Sequence, residues 1–152
     1  MQAEPLIDWP EPLLHLVEFA AIFLAAGAVG FRYSALRGRL AQSAAGGHDG
    51  RVYADAARRA AVIGLVGSVL GAGMLARALP ALAARRHVGV VELVTGNFIV
   101  GAQVVLVVLA LLGFILASRG VRAGWPVAGI GVIVGQLRGL LLGQVSRQVN
   151  PM

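Results

Sequence analysis

The stretch FIVGAQVVLVVLALLGFILA, Phe98 to Ala117, decides the fold. It carries no charged residue, and Gln103 is its one amide side chain. At a rise of about 1.5 Å per residue, a helix of this length crosses a hydrocarbon core of about 30 Å. Three further stretches are long and mostly apolar: 13–31, 60–79 (closed by Pro80) and 125–145. None alternates apolar and polar residues strictly, which argues against a membrane β-barrel. Helices satisfy their own backbone groups in lipid. The expected fold is therefore all-α: a polytopic four-transmembrane-helix bundle forming one domain over 1–152.

The composition agrees. Of the 152 residues, 58% are hydrophobic and 13% charged, and the mean hydropathy is +0.80. A soluble domain averages about 45–50% apolar and about 25% charged, and disordered chains are poorer still in hydrophobic residues. Cysteine is absent. That excludes disulfides, thiolate metal sites, a cysteine nucleophile and c-type haem attachment. The formal charge is +6, and every basic side chain other than histidine is arginine.

The arginines set an orientation. Arg32, Arg37, Arg39, Arg51, Arg58 and Arg59 lie in the loop 32–59, and Arg119 and Arg122 in the third loop. Cytoplasmic loops carry the excess of arginine. Both loops are thus expected in the cytoplasm, with the N-terminus, the second loop and the C-terminus outside, in the periplasm. Arg85, Arg86 and Arg147 oppose this but are fewer. Glu4, Asp8 and Glu11 precede the first span, so the N-terminus does not read as a signal peptide. Trp9, Tyr33, Tyr53 and Trp125 fall where interfacial rings are expected. Ser43 to Gly50 reads as a flexible turn. From about Val52 the chain is expected to be helical, with Asp55, Arg58 and Arg59 at pairing distance along it. Those charges read as a solvated helix extension or as a contact to anionic lipid or a partner. The positive charge is explained by topology, so no nucleic-acid partner is expected.

Helices in lipid associate through close approach at small residues. Gly131, Gly135, Gly139 and Gly143 recur every four residues, and Gly64, Gly67 and Gly71 with Ser68 form a second small face. These glycine zippers predict helix packing within the chain or against another integral membrane subunit. The span from Val104 to Leu112 suits lipid or a hydrophobic partner.

Polar groups at membrane depth are costly and point to function. The expected intramembrane network is His15, Glu18, Gln103, Gln136 and Arg138, gathered in the outer half of the bundle. Arg77, Asn97 and Gln144 lie near the same side. Glu18 and Arg138 would pair, with Gln103 or Gln136 completing the hydrogen bonds. Such a network fixes helix register, lines a small outward-facing cavity for an ion, a proton or a headgroup, or contacts another subunit. His15 is the candidate metal ligand, because imidazole suits copper; Met74, His87 and Met152 are candidate companions. A transmembrane haem wants two histidines within the spans, and only His15 lies in one. No glycine-loop-lysine motif, nucleophilic triad or clustered metal motif is readable, so no enzyme activity is expected.

On these residues the chain resembles the copper-resistance D (CopD-like) family of bacterial inner-membrane proteins. The resemblance lies in Leu13-Leu14-His15 opening the first span and in four closely spaced helices. It continues in the short turn from Arg119 to Trp125 and in Arg138-Gly139 leading to the polar tail Gln144 to Asn150. It implies periplasmic copper handling, with only His15 mapping as a functional position. Members of that family commonly carry more helices, with further histidines and tryptophans on the outer side. Two functions follow as expectations. One is a structural or accessory subunit of an inner-membrane complex. The other is a copper-handling or transport-type protein using the polar layer around His15 and Glu18.

Overall fold

The computed structural model describes residues 10–36 and 48–135, which are helical with short turns and contain no strand. Among the described residues five helices follow one another: α1 (Pro10–Ser34), α2 (His48–Arg85), α3 (Val90–Gly96), α4 (Phe98–Ser118) and α5 (Gly124–Gly135). Three of them, α1, α2 and α4, are long and apolar enough to cross a membrane; α5 is apolar but shorter over its described residues. The remainder of the expected fourth span, including Gln136, Arg138, Gly139, Gly143 and Gln144, lies outside the described residues, as do Trp9 and Met152.

Two boundaries differ from expectation. The second span does not close at Pro80. Proline lacks the N–H that would bond one turn back, yet α2 runs through Pro80 to Arg85. Its start, at His48, falls within a few residues of the expected helix onset near Val52. At about 1.5 Å per residue its 38 residues extend about 57 Å, well beyond the hydrocarbon core. The second difference is α3, a short helix inside what reads as a loop. Asn97 separates it from α4. Its side-chain oxygen accepts from the backbone N–H of Ile99 (3.0 Å) and of Val100 (3.2 Å). Asn97 thus caps a helix rather than joining a polar network.

Two helix ends use the same device. After α4, Gly120 has φ +83°, and Val121 N–H donates to Leu116 O at 2.9 Å. After α2, His87 takes the left-handed conformation (φ 55°), and Val88 N–H donates to Ala83 O at 3.2 Å. Both satisfy carbonyls that a helix end leaves open. His87 holds this position without being glycine.

The helices pack antiparallel through small residues. Gly67 on α2 sits against α1, where a Cβ would lie 2.7 Å from Ala21 O and 2.8 Å from Ala25 N. Gly64 leaves room for the Phe114 ring. Gly131 on α5 faces Leu106 O and Ala110 N of α4 at 2.7 and 2.6 Å from a would-be Cβ. Gly113 faces the Ala128 backbone, and Gly124 faces Gly113 and Ala117. Phe114 is fully buried at the centre, in a core built mainly of alanines from α1, α2, α4 and α5. Trp125 meets it edge-on, with centroids 6.2 Å apart. Its ring is buried, because the close α4–α5 contact draws it inward. The Arg32 guanidinium lies 5.8 Å from its ring centroid, a cation–π distance.

Outward surfaces are apolar. Val105, Val108 and Leu112 on α4 and Val62, Val66 and Val69 on α2 are exposed. In lipid that is the ordinary state of a spanning helix.

The glycine contacts make a prediction. Gly113→Leu should destabilise the protein by about 1–3 kcal/mol or more, since a side chain there overpacks backbone. Gly73, where a Cβ meets nothing within 4 Å, should accept alanine with equal or higher stability. Thermal loss of the monodisperse peak in detergent measures both.

Candidate functional site

The helix packing leaves a half-open cleft of about 440 Å³ between α1, α2, α4 and α5. Its walls are small and aliphatic, with Ala21 and Ala25 from α1, Gly71 and Leu75 from α2, and Leu106 from α4. Three polar side chains from three helices line it: Glu18 on α1, Ser68 on α2 and Gln103 on α4. Met74 adds a thioether. A second hollow of about 440 Å³ shares Leu75, Ala78, Gln103 and Gly135 with the first and continues along α2 to Arg85.

Ser68 is the distinctive group. It is 7% exposed, and its hydroxyl has no hydrogen-bond partner. Other hydroxyls in the helices satisfy themselves on their own backbone. Ser34 Oγ donates to Gly30 O at 2.6 Å, Thr95 Oγ1 to Val91 O at 2.9 Å and Ser118 Oγ to Ile115 O at 2.8 Å. An unmet buried hydroxyl costs about 1–3 kcal/mol, so Ser68 is a standing demand for a partner at this point of the cleft.

The other candidate residues are placed as follows. His15 Nδ1 lies 3.7 Å from Glu18 Oε2, one turn apart on α1, with side chains 73% and 59% exposed. That is the edge of ion-pair distance between solvated or lipid-facing groups, and it fixes little by itself. Glu18 and Gln103 share the cleft; Gln136 and Arg138 lie outside the described residues. Arg77 is exposed. Among the described residues, no three His, Asp or Glu side chains group as a metal-binding set. His87, a candidate companion of His15, is engaged as the turn residue after α2.

Of the zipper glycines, Gly64, Gly67 and Gly131 make tight contacts, whereas a Cβ on Gly71 or Gly135 meets nothing within 4 Å. Both of the latter line the cleft. Ser68 reads in sequence as one more small residue of a packing face. The signal available there was its hydroxyl, one turn below Gly71 on a face otherwise free of polar groups. That Gly113 and Gly124 join α4 to α5 carries no periodic signature in either helix.

No family model, curated protein or solved structure matches the chain.

Replacing Ser68 with alanine tests the unmet hydroxyl. In the purified chain Ser68→Ala should leave thermal stability unchanged or raise it by up to about 1 kcal/mol, because it deletes an unpaired polar group at almost constant volume. A clear loss of stability would show that the hydroxyl is satisfied.

Proposed function

We propose that the chain is a non-catalytic integral membrane protein, a structural or accessory subunit packed within a larger bacterial inner-membrane complex. One observation carries this reading: a half-open cleft lined by Glu18, Gln103 and small side chains, with the unpartnered Ser68 hydroxyl buried in its wall. A transmembrane helix of another subunit is the natural occupant. Its backbone approaches closely where Gly71 and Gly135 stand open, and interhelical hydrogen bonds are worth roughly 0.6 kcal/mol each on average. The exposed valine and leucine faces of α2 and α4 extend the contact without polar cost.

The orientation completes the proposal. The Arg32, Arg59 and Arg119 end of the bundle faces the cytoplasm, and the cleft opens in the outer half. The absence of native cysteine makes single-cysteine variants clean probes of both points. In native membranes, Gly71→Cys and Gln103→Cys should cross-link to a second membrane protein, and the gently solubilised complex should exceed the monomer mass. A monomer without adducts would overturn the subunit reading. In intact cells an impermeant maleimide should label Arg86→Cys and spare Arg122→Cys; the reverse pattern would invert the topology.

A second reading has its own observation. Glu18 approaches His15 and shares the cleft with Met74, and imidazole and thioether are ligands suited to copper. Copper handling of the CopD-like kind would then use His15. Metal analysis of purified protein tests it: wild type should hold copper and His15→Ala should lose it. Equal copper in both, or none in either, rejects a site at His15.

A further inference from the structure

At the arginine-rich end a separate groove of about 410 Å³ runs between α1 and α2. Its walls include Phe23, Gly27 and Phe31 on α1 and Ala60 and Ile63 on α2. Arg59 is the one charged residue lining it among those described. Phe23 and Phe31 are exposed, and a Cβ on Gly27 would meet nothing within 4 Å. The groove is therefore a real gap in the apolar surface. From Phe23 to Phe31 it follows about 12 Å of helix, close to the depth of one leaflet's hydrocarbon.

The rim has a definite charge. Arg59 bonds Asp55 through one contact, Nη2 to Oδ2 at 2.8 Å. A guanidinium has five N–H donors in a fixed fork, so the pair leaves donors for a second acceptor. Arg51 and Arg58 are exposed on the same helix. Three arginines against one aspartate between Arg51 and Arg59 select an anion at the head of an apolar channel. An apolar channel under a guanidinium matches a single amphiphile: a hydrocarbon chain below and an acidic headgroup above.

We propose that this groove is a binding site for an anionic phospholipid, one acyl chain lying along Gly27 and the phosphodiester resting on Arg59. The site is distinct from the polar cleft and does not depend on what fills that cleft. Gly27 is the groove's open floor, and Arg59 selects the headgroup.

Native mass spectrometry of the full delipidated chain, titrated with phosphatidylglycerol or phosphatidylcholine of identical chains, tests it. Wild type should retain phosphatidylglycerol several-fold more strongly. Arg59→Gln, an exposed change that leaves the core alone, should abolish that preference while both lipids still bind. Gly27→Leu should fill the groove and lower retention of both lipids several-fold; Ile63→Trp serves the same purpose should the Gly27 variant fail to fold. Equal retention of the two lipids by wild type would overturn the proposal. So would a preference untouched by Arg59→Gln, or retention displaced by millimolar inorganic phosphate with no dependence on the acyl chain.

Discussion

The structure depends on one constraint: in lipid, helices gain nothing by hiding apolar side chains from one another. They gain by approaching closely enough for backbone and small side chains to touch. Phe114 shows the result. It is the one large side chain fully buried among the described residues, and it fits because Gly64 has no side chain to oppose it. Around it, Gly113, Gly124 and Gly131 bring α4 and α5 into backbone contact, and Gly67 does the same for α1 and α2. Trp125 and Arg32 then close the arginine-rich end by ring and cation contact.

The same constraint leaves the cleft and the groove. Where a glycine has no neighbouring helix against it, space remains. Gly71 and Gly135 border one such space and Gly27 the other. Their chemistry then diverges with depth. The first holds a carboxylate, a hydroxyl and an amide from three helices, groups that ask for hydrogen-bonding partners. The second is apolar up to a guanidinium at its rim, which asks for a tail and an acid. The bundle thus offers a polar demand toward one end and an anion-selective one at the other.

Element existence was legible where hydropathy was unambiguous. α1 and α4 fall within a few residues of the expected spans, because long apolar runs have one low-energy form in a bilayer. α2 was legible except for its C-terminal end. A proline usually stops a helix, but one missing bond is a small loss in a helix of 38 residues. The short α3 was missed because seven residues carry too little periodicity to stand out from a loop. The burial of Trp125 against Phe114 was not legible, because it follows from the close contact between Gly124 and α4.

Composition and order of residues alone determined the all-helical class, the three helices long and apolar enough to cross a membrane and the segregation of arginine to particular loops. Those properties follow from transfer of side chains between water and lipid, which each residue contributes nearly independently. Tertiary structure alone decided which glycines touch a neighbour and which border empty space, that the Ser68 hydroxyl has no partner, and that Gln103 and Glu18 face one cleft. Those outcomes depend on rotation and register between helices. Rotation and register are set by pairwise fit of surfaces from distant parts of the chain, and no single helix encodes them.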